Sequence, residues 1–208
     1  MSEETYEKLR IARISDCVFA IAMTLLVFDL KLPVLEAPIS NQAFAQALLG
    51  HLPNFTSWML SFVVLARFWF LHHGLIAREE TRPGNFVAVN FVFLAAVALT
   101  PFSSSLRVQY SDQFLSVMVY SATFLAAALA LWALSALDHG RRGVWTIRYQ
   151  IGRSSAIWAI AIAIAACLIA VKSPPVGASL WLLFPFVGQW ERYRRERANA
   201  RSSDNDPG

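Results

Sequence analysis

Apolar residues in this chain come in long blocks, and the charged residues sit between the blocks. Stretches without Asp, Glu, Lys or Arg cover residues 17–28, 52–66, 83–106, 113–137, 154–171 and 173–190. An α-helix needs about 20 mostly apolar residues to cross the hydrocarbon core of a bilayer, with roughly 17–25 tolerated. Four of the six blocks meet that length outright. The first reaches it when 14–32 is counted together with Asp16 and Asp29, and the second when Arg67 is allowed inside the span. The pattern therefore predicts an all-α, polytopic membrane protein with six transmembrane helices. They fall at 14–32, 54–75, 85–105, 112–137 and 154–171, with a last one after Pro174-Pro175. Pro101 predicts a kink or an early end in the third helix, and Pro185 with Gly188 predicts a short or bent sixth. The polar stretch after the first helix, "PVLEAPISNQAFAQALLGHLP", predicts a loop with a short interfacial helix in its middle.

The loops give the orientation. Lys and Arg concentrate on the cytoplasmic side of short membrane loops. With the N-terminus inside, the inner segments hold Lys8, Arg10, Arg13, Arg78, Arg82, Arg141, Arg142, Arg148, Arg153, Arg192, Arg194, Arg195, Arg197 and Arg201. The outer segments hold Lys31, Arg107 and Lys172. That is 14 against 3, with Arg67 in the membrane, and it accounts for all 18 basic residues. Both termini are expected in the cytoplasm.

Composition narrows the picture further. Only 15% of the 208 residues are charged and 56% are hydrophobic, where a soluble domain carries about a quarter charged. Residues 1–200 read as a single six-helix membrane domain and 201–208 as a disordered tail. The net charge of +4 needs no nucleic-acid partner, because "ERYRRERANAR" reads as the flank that stops the last helix. A cleaved signal peptide fits poorly: the A-x-A site at 43–45 lies far beyond the first apolar run, and Asp29 and Lys31 interrupt the approach. Cys17 and Cys167 each sit inside an apolar run, so they make no metal motif and no disulfide framework. No cofactor is indicated.

The first helix carries the most structured pattern. On a helical wheel Ile14, Cys17, Ile21, Thr24, Leu25, Phe28 and Leu32 form one stripe, with Asp16, Phe19, Ala20, Met23, Val27 and Leu30 on the other side. Periodicity alone leaves three readings open: a lipid face, a helix contact or a pore lining. Asp16 says more, since an ionisable group within a span faces a protein partner or water. At similar depth lie His72 and His73 at the end of the second helix, Asn90 early in the third, and Arg10. Asp16 and Ser15 are expected to tie the first helix to the second and third through this polar cluster, fixing its rotation. His72 and His73 read equally as caps of an interfacial helix end. Adjacent histidines point to different sides of a helix, which disfavours a metal site.

Arg10, Ser15 and Asp16, followed by "VFAIAMTLLVFDLKLP", resemble the first-helix signature of the transmembrane protein 175 family of potassium channels. Ile14 stands where that signature has an aromatic residue, and Cys17 where it has glycine. "FWFLHHGL" at 68–75 resembles the family's second-helix ending. The resemblance implies a passive, potassium-selective cation channel, not an enzyme. Bacterial members carry one signature per chain and assemble as tetramers, so this chain is expected as a homotetramer in a bacterial plasma membrane, with its first helices around a central pore. Carried over residue by residue, Ile21 falls on the hydrophobic constriction and Thr24 on a position implicated in cation selection. Leu25 and Phe28 fall on further layers, and Arg10, Ser15 and Asp16 on the anchoring motif. The chain has no TVGYG, so a filter of backbone carbonyls is not indicated. A ring of four Ile21 side chains would close the path by dewetting. Potassium sheds water more readily than sodium, so a narrow apolar ring with few compensating oxygens favours it.

Two other classes stand beside the channel. A secondary carrier commonly shows internal repeats and ionisable residues at the bilayer midplane, and neither is evident. A membrane enzyme would have only His72 and His73 to work with, and no nucleophile–base pair accompanies them.

Overall fold

In a computed structural model of the chain, the backbone is described for residues 3–31, 39–76, 84–142 and 147–187, and the side chains for 9–31, 39–76, 85–137 and 156–187. All elements among these residues are helical. They are α1 (Glu3–Leu25), continued by a 3-10 turn over Leu26–Asp29, α2 (Asn41–Gly50), α3 (Leu52–Ile76), α4 (Gly84–Gln109), α5 (Phe114–Arg142), α6 (Ile147–Ala170) and α7 (Pro174–Ser179), with a second 3-10 turn over Leu180–Leu183. Four helical segments are long and apolar enough to cross a membrane: Leu9–Asp29, Leu52–Ile76, Asn85–Gln109 and Phe114–Leu137. Two shorter apolar helices follow, Ala156–Ala170 and Pro174–Val187. The inner-loop residues Arg78 and Arg82, the basic run 192–201 and the tail 201–208 lie outside the described residues.

Local chemistry accounts for the ends and breaks. Ser40 caps α2, its side chain accepting from the Ala43 amide at 3.1 Å, and none of the α2 side chains is buried. The last helix is broken as its sequence suggests. Pro185 withdraws the N–H that would bond the carbonyl four residues earlier, and the chain tightens into a 3-10 turn over that stretch. At Pro101 the expectation of an early end is corrected, because α4 runs through it to Gln109. Hydroxyls beside the proline bond back to the helix, Thr100 to the Ala96 carbonyl and Ser103 to the Thr100 carbonyl. Membrane helices tolerate proline on such terms.

Two layers of contact hold the bundle. The first is aromatic: Phe68 lies 4.9 Å from Phe184 and 6.2 Å from Phe124, and Phe124 lies 5.0 Å from Trp181, between ring centroids. Phe93 reaches Phe19 of α1 at 5.8 Å. Lipid tails are as apolar as these rings, so the cluster gains close packing rather than escape from water. The second is a polar seam between α3, α4 and α5. The Ser61 hydroxyl meets those of Ser104 and Tyr120, each at 3.0 Å. Arg107 donates to the Ser57 hydroxyl and stands 5.5 Å from the centre of the Tyr120 ring. Arg107 reads in the sequence as an outer-loop cation, yet it is buried in the last turn of α4.

Glycine marks the tightest approach. A Cβ on Gly177 of α7 would press on the Ala166 carbonyl and come within 2.9 Å of both the Ala170 Cβ and the Ala170 amide nitrogen. Backbone cannot yield as a side-chain end can. Gly177→Ala should therefore lower the thermal midpoint of the detergent-solubilised protein, the overpacking costing about 1–3 kcal/mol. Gly74→Ala in α3 meets nothing within 4 Å and should gain about 0.5–1 kcal/mol of helix propensity. Equal midpoints for the two variants would show that α6 and α7 do not pack this closely.

Candidate pore-lining helix and its anchor

Helix α1 is the least covered of the four spanning segments. Within its most apolar stretch 22% of residues are buried, against 44%, 44% and 50% for the other three. What is buried follows one face: Ser15, Phe19, Ala22 and Leu26, at the i, i+4, i+7, i+11 spacing of a single helical stripe. That face packs on α3 and α4.

The opposite side carries the residues singled out in the sequence. Ile14, Cys17, Ile21, Thr24, Leu25 and Phe28 are all exposed, Ile21 to 58% and Phe28 to 66%. Leu32 lies outside the described residues. The open arc is wider than that stripe, because Ala20 and Val27, placed with the other face by the wheel, are exposed as well. The Thr24 hydroxyl sits within 2.9 Å of the Ala20 carbonyl and 2.8 Å of the Ile21 carbonyl. Its proton is directed back along the helix, which leaves oxygen lone pairs toward the open side. At the far end Asp29 is half-buried and faces Ser105 of α4 and Lys31.

Behind the helix the polar residues separate into two arrangements. Ser15 and Asp16 are neighbours in sequence, so they point about 100° apart around the helix and reach different partners. Ser15 accepts from the Asn90 amide nitrogen at 3.3 Å, and the Asn90 carbonyl accepts from His72 Nε2 at 2.7 Å. All three are buried, and they join α1, α4 and α3 in one chain. The His72 ring stacks on Phe93 at 4.8 Å. Asp16 turns instead toward α3, its carboxylate accepting from Trp69 Nε1 at 2.9 Å. His73 is exposed, outside the Ser15–Asn90–His72 chain, and lies against the Trp69 ring at 5.2 Å. Arg10 is exposed and borders the same end of α1 and α4 as Asn90. Among the described residues no three His, Cys, Asp or Glu gather where a metal could sit.

Trp69 is the partner that the sequence reading left out. It stood in "FWFLHHGL", and an indole N–H within an apolar span needs an acceptor. If the Trp69 bond is what Asp16 supplies, Asp16→Asn, which keeps an acceptor oxygen, should preserve the yield of folded protein. Asp16→Ala and Trp69→Phe should lower it alike, each losing a bond worth about 0.6–1.7 kcal/mol in a membrane protein. Size-exclusion profiles of the four proteins decide, and an Asn variant as defective as Ala would put the charge itself in the leading role.

A multi-pass helical membrane protein, with one span left uncovered along an apolar face and fixed from behind by polar side chains, is the class these features define. Residues 10–101 of the chain match the family described as "Endosomal/lysosomal potassium channel TMEM175". The chain is 30% identical over 132 residues to a protein named as a potassium channel from Streptomyces collinus, covering 62% of this chain and 63% of that one. It is 30% identical over 135 residues to another so named from Chamaesiphon minutus, covering 62% and 66%. A bovine protein named "Endosomal/lysosomal proton channel TMEM175" is 30% identical over 151 residues, 66% of this chain and 31% of its own length. The matches thus span less than two thirds of these relatives' length. In fold the chain is similar to the crystal structure of a lysosomal potassium-selective channel TMEM175 homologue from Chamaesiphon minutus, with a TM-score of 0.73 and 22% identity, covering 89% of this chain and 98% of that one.

Proposed function

We propose that the protein is a potassium-selective cation channel, formed by four copies around a central axis lined by α1. The uncovered apolar face of α1 carries this reading: a spanning helix with less than a quarter of its apolar stretch buried is completed by something outside its own chain. Two relatives named as potassium channels support the cargo. In this arrangement Ile21 forms the constriction, closing the path by excluding water. Thr24, one turn further on, offers four acceptor oxygens to a partly dehydrated ion, and Leu25 and Phe28 make wider layers toward the outside. Arg10, Ser15 and Asp16, with His72 and His73 behind them, set the rotation of α1 so that Ile21 meets the axis.

The remaining expectations follow the same reading. Residues 1–200 form one membrane domain of six spans, with α6 and α7 completing the bundle, both termini in the cytoplasm and the plasma membrane as the location. Conduction is passive and uses no cofactor.

Reconstitution tests this directly. Purified protein in liposomes should carry a potassium flux that a valinomycin control calibrates, and planar bilayers should show discrete single-channel steps. A flux that saturates, couples to a second solute and never resolves into steps would replace the channel with a carrier.

A further inference from the structure

Helices α1 and α4 part at the end that carries Arg10. They leave a cleft of about 250 Å³ lined by Arg10, Ile11, Ile14, Val87, Asn90 and Phe91. Its walls divide sharply by chemistry. Ile11, Ile14, Val87 and Phe91 make an apolar slot open to the side, Ile14 and Phe91 being exposed. The polar groups are those of Arg10, an exposed residue, and of Asn90, a residue only 2% exposed. Asn90 uses its carbonyl on His72 and one amide hydrogen on Ser15, and the second hydrogen remains. A guanidinium carries five N–H donors in a fork suited to phosphate, so contacts within the protein still leave donors for a ligand. Arg13, also exposed, adds a cation one turn on. Asp16, the next acid after Arg13 along the helix, is engaged by Trp69.

We propose that this cleft binds an anionic phospholipid, with the phosphate at Arg10 and Asn90 and the start of an acyl chain along Val87 and Phe91 of α4. A cation at the mouth of an apolar slot selects an amphiphile with a negative head. Basic residues at the membrane surface favour anionic over zwitterionic lipid. The site also adjoins the anchor of the pore helix: Asn90 bonds both the ligand and Ser15, so a seated lipid braces α1 against α4. This consequence rests on the channel reading, whereas the binding itself does not.

Two measurements keep these apart. Detergent-purified protein is incubated with phosphatidylglycerol or phosphatidylcholine and its retained lipid is weighed by native mass spectrometry. Flux is then read in vesicles of phosphatidylcholine alone or mixed with phosphatidylglycerol. The parent should retain phosphatidylglycerol about tenfold better, a difference of about 1.4 kcal/mol, and conduct faster in the mixture. Val87→Trp, and Ile11→Trp from the opposite wall, fill the slot while keeping Arg10 and Asn90. Each should keep its flux in pure phosphatidylcholine and lose the preference in both assays. Equal lipid retention by the parent and both variants overturns the site, as does a parent with no preference. Loss of the oligomer in both variants would also overturn it, assigning the cleft to a second copy of the chain. A retained preference with no flux in any vesicle would leave the lipid site standing and remove the channel.

Discussion

Replacing Ile21 with Asn raises cation flux through the reconstituted protein by about tenfold or more, because the barrier at a dewetted ring need fall by only about 1.4 kcal/mol for that gain. The argument runs from the side chain to the pore. Ile21 is 58% exposed within its own bundle, so the substitution disturbs no internal packing and the thermal midpoint should hardly move. In the proposed assembly each copy would contribute one amide, and four amides around an axis would supply donors and acceptors that let a column of water persist. A control separates this from a general effect of polar groups in the membrane. Leu168, 69% exposed on α6, belongs to a helix that has no part in the proposed lining, and Leu168→Asn should leave flux at the parent's value. Parent-like flux in the Ile21 variant, with an intact oligomer, removes Ile21 from the constriction. Equal gains in both variants would mean leak through a loosened bundle.

The particular features explain what could be read in advance. Charge gaps located the four long apolar helices because a charge inside the hydrocarbon is costly wherever it falls, and this needs no knowledge of neighbours. The α1 stripe was legible for a related reason. Its residues are apolar at helical spacing, and the structure leaves every described member of it exposed. Ala20 and Val27 were misplaced because a wheel divides a helix into halves, whereas the bundle covers only a narrow face of it. The polar seam was not legible at all. A serine in a membrane helix can bond its own preceding turn, as Ser15 does with the Ile11 carbonyl at 2.9 Å, or a neighbour, as Ser61 does with Ser104. Spacing does not tell these apart. Arg107 misled for the opposite reason: its position at a helix end suited a loop cation, and its long stem let the guanidinium turn inward to Ser57 instead.

The anchor makes the second large prediction. Asn90→Leu leaves His72 Nε2 without its acceptor and Ser15 without the amide donor, both in buried surroundings. A stranded buried polar group costs about 1–3 kcal/mol, and interhelical bonds measured in a membrane protein average about 0.6 kcal/mol with a maximum near 1.7. The membrane figures govern here, because helices that come apart within lipid still find other partners. A loss of about 1–3 kcal/mol is expected in all, read as a lower thermal midpoint and a smaller fraction of the proposed tetramer. Adding His72→Phe to Asn90→Leu tests the cause. Removing both partners of a buried bond can be nearly neutral, and a Phe at 72 would keep the stack on Phe93. The double variant should therefore recover much of the lost stability. Its flux should not recover equally, because α1 would be held by packing that fixes no rotation, and Ile21 would reach the axis less uniformly. Recovery of stability and single-channel conductance together would show that the Ser15–Asn90–His72 chain only holds helices in contact, and that the orientation of α1 is set elsewhere.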